Sequence, residues 1–453
     1  MQTNHPTDVG PQVNPKYSRS LDLYARAENL FPFGVQLLSR SPHLSAFGQA
    51  PIYFDRAKDG HFWDVDGNEF VDLSMGCGPV ILGYCYGPVD AAVKAQIDRG
   101  VIGSVNHELE LAFAEKMCAM VPCAEMIKIC KGGGEANAIA VRLARGYTGK
   151  DLVCFCGYHG WYDWYIAANL DAADRLDEHL RPGLLPKGVP AALAGTAVPF
   201  AYNDIDSLRR ALETHVGKVA CIVLEPTRAT APAPGYFEQV RALADEHGAL
   251  LIFDEVVTGF RMAPGGAQEH YGVTPDLAAF GKAVANGYPL AVVAGRHEIM
   301  ASQYDNFISS TYYGETVSLA AGLATLSEMT AKPVLQTVNA TGEAMMKGFS
   351  ELAQKHLVRA SVNGYGFQFM VGFDYGADTG RVATLFMQEM AARGVLATGR
   401  HYTCYTHSEG DVQKVLAAAD QSFEIMAGAI AQNRIDDVLR APERKVVFKR
   451  RLV

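Results

Sequence analysis

Apolar residues along this chain come in short runs that stop abruptly at an acid, a glycine or a lysine. Ala249-Leu250-Leu251-Ile252-Phe253 runs into Asp254-Glu255, and Leu277-Ala278-Ala279-Phe280 runs into Gly281-Lys282. Unbroken apolar runs of this length predict strands buried on both faces, as in parallel sheets. Similar runs occur at 126–130, 152–156 and 220–224. Between them the spacing predicts helices over 135–145, from 203 onward with a capping residue, over 237–247 and over 317–329. Strands alternating with helices predict an α/β fold. Past about residue 325 the rhythm changes: amphipathic helices over 341–356 and 381–393 alternate with short strands such as 368–373. Near the start, 52–57 and 61–68 read as a small antiparallel sheet, with a hairpin turn at Asp66-Gly67-Asn68. The expected organisation is an N-terminal segment, 1–70, that joins a small domain; a large domain, 71–325; and a C-terminal small domain, 326–453. The segment 165–200, apolar, proline-rich and without a clear period, reads as a loop that covers a site.

Composition narrows the function. The chain has 453 residues, 49% apolar and 20% charged, ordinary values for a globular protein with a large core. A net charge of −9 argues against a general nucleic-acid surface. No apolar run approaches the roughly 20 residues that span a bilayer. No signal peptide is visible at the start, and the nine cysteines include no Cys-x-x-Cys pair, so reduced thiols in the cytoplasm are expected. Cys154 and Cys156 share a strand face, but without further ligands no metal is expected. The basic tail from Arg444-Lys445 to Arg450-Arg451 reads as a solvated end.

The candidate chemistry sits where the apolar runs stop. Ligands of open α/β sheets bind at the carboxyl ends of the strands. A lysine at such an end is partly withdrawn from water, which favours the nucleophilic amine needed for a Schiff base. An acid at the next strand end can hold a pyridinium proton, and Asp254 with Lys282 therefore suits pyridoxal 5′-phosphate. A third strand leads into Lys131-Gly132-Gly133-Gly134 and then a helix, an arrangement whose free backbone N–H groups face an anion.

Asp254-Glu255-Val256-Val257-Thr258-Gly259-Phe260-Arg261, then Gly265-Gly266-Ala267-Gln268-Glu269, Gly272-Val273-Thr274-Pro275-Asp276-Leu277 and Gly281-Lys282 resemble the class-III aminotransferases. Within that family the chain is similar to the glutamate-1-semialdehyde 2,1-aminomutases, from about Phe31 to the C-terminal helix. The resemblance implies a fold-type I architecture: a large domain with a mostly parallel seven-stranded sheet plus a small α+β domain. It also implies a homodimer with shared active sites. Lys282 would carry pyridoxal phosphate, Asp254 would face the ring nitrogen, Tyr158 would stack on the ring, and Glu225 would support its polar edge. Val256 and Val257 would lie against the cofactor. Gly133 and Gly134 would hold its phosphate, and Thr311 would reach the phosphate of the neighbouring subunit. Arg40 falls on an arginine that binds a substrate carboxylate.

The chain departs from the pattern in four places. Cys77 stands where the aminomutases carry Trp. Gly132-Gly133-Gly134 replaces Ser-Gly-Thr, and Glu315-Thr316 replaces Asn-Pro. Gly399 falls on an active-site glutamate, with Arg400 beside it. A carboxylate-bearing substrate held by Arg40, Arg400 or both is therefore expected. The activity implied is transfer of an amino group between an amine or amino acid and a carbonyl acceptor. Intramolecular aminomutase and racemase or epimerase chemistry stay open at this point.

Overall fold

The computed structural model describes residues 14–445 except Arg181 and Ala229. Part of the N-terminal arm and most of the basic tail thus lie outside the described residues. The chain forms two compact units. Of the described residues, one comprises Gly78–Val80 and Gly87–Leu335; the other takes those before Gly78, Ile81–Tyr86 and residues 336–445.

The larger unit is built on a seven-stranded sheet. Across it the strands run Met126–Cys130, Ala291–Gly295, Leu277–Phe280, Leu250–Asp254, Val219–Leu224, Leu152–Cys156 and Ala197–Pro199. All are parallel except Ala291–Gly295, which is antiparallel to both neighbours. Every residue of Val219–Leu224, Leu250–Asp254, Leu277–Phe280 and Ala291–Gly295 is buried, which explains their unbroken apolar runs. The helix Gly133–Thr148 covers the sheet with Ala136, Ile139, Ala140, Leu143 and Ala144. Asp204 caps the helix Ile205–Thr214 by accepting from the Ser207 N–H at 2.9 Å.

The register decides where chemistry can occur. Asp254 lies beside Ala279, Phe253 beside Leu224, and Leu224 beside Cys156; Phe280 lies beside Val292, and Ala291 beside Cys130. Residues 131, 157, 225, 255 and 281 therefore leave the sheet along one edge, the carboxyl edge of its parallel strands.

Two strands of this sheet were not foreseen. Ala197–Pro199 emerges from the segment read as a covering loop, and Ala291–Gly295 had no assignment. The first has three residues and ends in proline, which only an outermost strand tolerates. The rest of the segment holds the short helices Asp163–Ile166 and Ala168–Asp171 and buries Leu176 and His179.

In the smaller unit, Phe54–Lys58, His61–Asp64 and Glu69–Asp72 form antiparallel pairs, and Val395–Leu396 adds a parallel strand. Residues more than 320 positions apart thus share one sheet. Ala360–Tyr365, Gln368–Phe373 and His401–Tyr402 form a second sheet. Helices Thr379–Ala392 and Glu409–Ala431 pack Phe386, Met390, Phe423 and Met426 into a core with Phe349 and Phe369. Among the described residues no helix is long and apolar enough to cross a membrane.

Candidate active site

Asp254 ends its strand with its side chain almost wholly buried. It accepts from Asn137 Nδ2 at 2.7 Å and from the Val256 N–H at 3.1 Å, and its Oδ2 lies 2.8 Å from His159 Nδ1. The other His159 nitrogen lies 3.2 Å from the Cys156 carbonyl oxygen. A helix, a loop and the strand's own turn thus orient one carboxylate. Asn137 Oδ1 is buried and has no hydrogen-bond partner among the described residues. Sequence reading missed both Asn137 and His159. A signal existed for Asn137: it lies among Ala136, Ala140, Val141 and Ala144, and an amide in a buried apolar stripe needs a partner.

Glu255, the adjacent acid, turns away. It is fully buried and accepts from the Thr258 hydroxyl, from the Ala267 N–H at 2.8 Å and from the Gln268 N–H at 3.0 Å. Burial raises its carboxyl above the usual range against these hydrogen bonds. Gly266, at φ +91°, leaves room for it: a Cβ there would stand 2.6 Å from Glu255 Oε1. Of the two acids ending the strand, one faces the carboxyl edge and the other caps the helix Ala267–Tyr271.

Lys282 follows extended Gly281 and opens the turn Lys282–Ala285 at φ +43°. A non-glycine residue held in that region costs on the order of 1–3 kcal/mol and is typical of functional positions. Its side chain is half-buried. Tyr158, on the loop after Leu152–Cys156, is 47% exposed, leaving much of its ring bare, while its N–H donates to Glu225 Oε2 at 3.1 Å. Burial pushes the Tyr158 phenol up, and the charges of Asp254 and Glu225 add to the shift.

The glycine turn closes against the same edge. Gly132 caps the helix Gly133–Thr148 without a side chain, so first-turn N–H groups stay open. A Cβ on Gly133 would lie 2.7 Å from Val256 Cγ2, and one on Gly160, at φ +102°, would lie 2.8 Å from Gly134 Cα. Only glycine permits this approach of the 131–134 turn to Val256 and to the loop at 157–160. Val257 is half-buried, and its carbonyl accepts from Arg261 Nη1 at 3.1 Å. Thr311 begins the turn Thr311–Gly314 and is exposed.

Arg40 and Arg400 belong to the smaller unit. Arg40 Nη2 donates to the Gly76 carbonyl at 3.2 Å, and Cys77 Sγ lies 3.7 Å from Ser39 Oγ. Arg400 is exposed, and its neighbour His401 is a core residue, packed on Phe349 and Phe369, whose burial lowers its imidazole to about 4. Arg444, read as part of a solvated tail, is half-buried. Its N–H donates to Thr384 Oγ1 at 3.0 Å, and its guanidinium nitrogens lie 3.9 Å from where a Gly399 Cβ would stand. An apolar-run analysis gives such a residue no weight.

Comparison with known proteins agrees with this arrangement. The sequence profile for "Aminotransferase class-III" matches residues 45–430. The 3-aminobutyryl-CoA aminotransferase of Cloacimonas acidaminovorans (strain Evry) is 34% identical over 420 residues, covering 90% of this chain and 97% of that protein. The glutamate-1-semialdehyde 2,1-aminomutase of Syntrophobacter fumaroxidans is 35% identical over 427 residues, 89% of this chain and 97% of its own. Among solved structures, the pyridoxal-phosphate internal aldimine form of Sphingopyxis sp. MTA144 FumI superposes with a TM-score of 0.83 at 28% identity, over 93% of this chain and 99% of that one. An omega-transaminase from Sphaerobacter thermophilus shares the fold, with a TM-score of 0.81 at 24% identity over 92% and 99% of the two chains.

This chain belongs to the class-III aminotransferases. It is a pyridoxal-phosphate-dependent enzyme that moves an amino group between an amine or amino acid and a carbonyl acceptor. The residues present fit that cofactor. A buried, donor-oriented carboxylate, a partly exposed aromatic ring, a lysine in strained backbone and the first turn of a helix share one sheet edge, next to Asn137 Oδ1, which has no partner among the described residues.

Proposed function

We propose that the carboxyl edge of the large sheet holds pyridoxal phosphate through a Schiff base on Lys282, in a cytoplasmic homodimer acting on a carboxylate-bearing amine. The observation that carries this reading is Asp254: a buried acid with partners from three elements, on the edge where Lys282, itself in left-handed backbone, opens its turn.

When bound, the cofactor supplies an electrophilic carbonyl carbon and a protonated ring that accepts the electron pair left by the departing substrate proton. Lys282 Nζ would hold the cofactor and, once the substrate amine is in its place, would serve as the base that takes the substrate's α-proton and as the acid that returns it. Asp254 keeps the proton on the ring nitrogen, while Asn137 and His159 hold the carboxylate in place. Tyr158 would offer its ring to the cofactor, and Glu225 fixes the Tyr158 backbone. The N–H groups of Gly133 and Gly134 bind the phosphate without the two hydroxyls the family motif supplies. Thr311, exposed in a single chain, donates its hydroxyl to the phosphate in the neighbouring subunit. The nine free cysteines, six of them buried, support a reducing compartment.

The substrate reading rests on Arg40. Among the described residues its guanidinium makes one hydrogen bond, to a backbone carbonyl, which orients it and leaves donors for a carboxylate. Arg40 also favours the second reading, an intramolecular aminomutase. A requirement for an added amino acceptor separates the two, since an aminomutase needs none.

Lys282→Ala is expected to bring turnover to background and to remove the borohydride-reducible link between protein and cofactor. A reducible adduct on another lysine would overturn the assignment. Arg40→Leu is expected to lower kcat/KM for an acidic amino donor by about tenfold for each 1.4 kcal/mol of lost pairing, and to leave a neutral amine unaffected. An equal drop for both would place carboxylate recognition elsewhere.

A further inference from the structure

The glycine turn and the turn that carries Thr311 are bolted together within one chain. Glu135, in the first turn of the helix Gly133–Thr148, uses both carboxylate oxygens: Oε2 accepts from the Lys131 N–H at 2.8 Å and Oε1 from the Tyr313 hydroxyl at 2.8 Å. Lys131 Nζ donates in turn to Glu315 Oε2 at 3.0 Å, a pair with both side chains largely buried. Glu315 Oε1 caps the helix Thr316–Ala331 by accepting from the Val317 N–H at 2.6 Å. Burial raises the Glu315 carboxyl, but its bonds to Ser318 and Lys131 outweigh burial and hold it below the usual range. Lys128 Nζ stands 5.3 Å from the centre of the Tyr313 ring. The turn is thus held at its core, yet the Thr311 hydroxyl at its start makes no hydrogen bond among the described residues. A hydroxyl presented from a rigid turn suits a ligand supplied from outside it.

We propose that Glu135 and Tyr313 are positioning residues for the cofactor of the neighbouring subunit: the carboxylate that shapes a subunit's own glycine turn also sets, through Tyr313, where its Thr311 reaches. This rests on the reading above that Thr311 serves the partner's phosphate. The two cofactor sites of a dimer are then built from one continuous hydrogen-bonded unit, and each subunit's glycine turn helps to form the other's phosphate site.

A double-mutant cycle on cofactor binding tests it. The dissociation constant of pyridoxal phosphate is measured by equilibrium dialysis for the full-length dimer and for Tyr313→Phe, Thr311→Ala and the double variant. Tyr313→Phe keeps the ring and loses only the hydroxyl; sedimentation confirms that each variant stays dimeric. The expected result is a loss of affinity of about threefold to tenfold in each single variant, the scale of one hydrogen bond, with the double variant no weaker than Thr311→Ala alone. Wild-type affinity in Tyr313→Phe would overturn the proposal, and so would losses that multiply in the double variant, because Tyr313 would then act independently of Thr311. Wild-type affinity in Thr311→Ala would instead remove the shared-site reading, and this proposal with it.

Discussion

The carboxyl edge of the large sheet and the first strands of the smaller unit both bury ionisable groups, and they use them in opposite ways. In the smaller unit His61 Nε2 lies 2.8 Å from Asp411 Oδ1, and its Nδ1 stands 3.0 Å from a Glu69 oxygen, close enough for charge attraction. Asp411 also accepts from the Ser408 N–H and hydroxyl at 2.8 Å each, capping the helix Glu409–Ala431. His61 Nδ1 makes no hydrogen bond among the described residues, as Asn137 Oδ1 makes none at the sheet edge. There Asp254 collects donors as densely, but Lys282 sits in strained backbone and Tyr158 is 47% exposed. Burial, hydrogen bonding and an unsatisfied atom do not by themselves mark a site. The mark is an oriented, buried carboxylate on the same edge as a strained lysine and an exposed aromatic ring.

Breaking the two clusters should therefore cost different things. The largest effect is expected at the sheet edge. Asp254→Asn keeps shape and burial but cannot hold a ring proton as an anion does. Single-turnover proton transfer should fall on the order of 10²–10³-fold, as when one preorganised electrostatic partner is lost, with little change in melting temperature. A near-wild-type rate would make Asp254 as structural as Asp411.

Next comes the glycine turn. Gly133→Ala places a Cβ 2.7 Å from Val256 Cγ2 and forces the turn or Val256 to move. Cofactor affinity is expected to weaken by roughly 1–3 kcal/mol, the cost of overpacking, and Val256→Ala in the same chain should restore much of it. If the second substitution rescues nothing, the turn is held by something other than its fit to Val256.

The smallest effect is expected from His61→Gln, about 0.5–1.5 kcal/mol of stability by denaturant unfolding, with kcat unchanged. Its pH dependence has a definite sign. The hydrogen bond to Asp411 raises the His61 imidazole despite burial, so its contribution is complete below the ordinary value near 6.5 and is lost as pH rises through the raised folded value. Asp411 is held well below the usual range: burial works against this, but the bonds to His61 and Ser408 prevail. Its contribution is therefore present above the ordinary value of 3.8 and is lost as pH falls through the depressed one. The gap between wild type and variant should be widest between those two ordinary values and should shrink in alkali. A gap that widened with rising pH would assign the His61 contact to a neutral imidazole.

Much of this was legible in the chain because buried parallel strands leave an unmistakable trace. The apolar runs ending at Cys130, Cys156, Leu224, Phe253 and Phe280 are all strands, and the acid, lysine and glycines that follow them lie along one edge. Ala291–Gly295 went unread although it is a buried apolar run like the others; the remaining misses had a weak local signal. Ala197–Pro199 is too short for a periodicity, and Arg444 sits in a basic run that resembles a solvated end until Thr384 and Met387 are packed against it. His159 stands in a loop between Tyr158 and Gly160, and nothing nearby in sequence tells a ligand of Asp254 from an ordinary loop residue.

The chain by itself determined the alternation of strand and helix and the type of residue at each strand end, acids at one and a lysine at another, because burial and backbone preference act over a few neighbouring positions. Only the tertiary structure decided which of the two adjacent acids faces the edge, that Asn137 and His159 orient it, that Glu135 joins the glycine turn to Tyr313, and that His61 is tied to Asp411, 350 residues away. Those contacts depend on strand register and on loops brought together by packing. Both are properties of the whole fold, and local sequence carries no record of them.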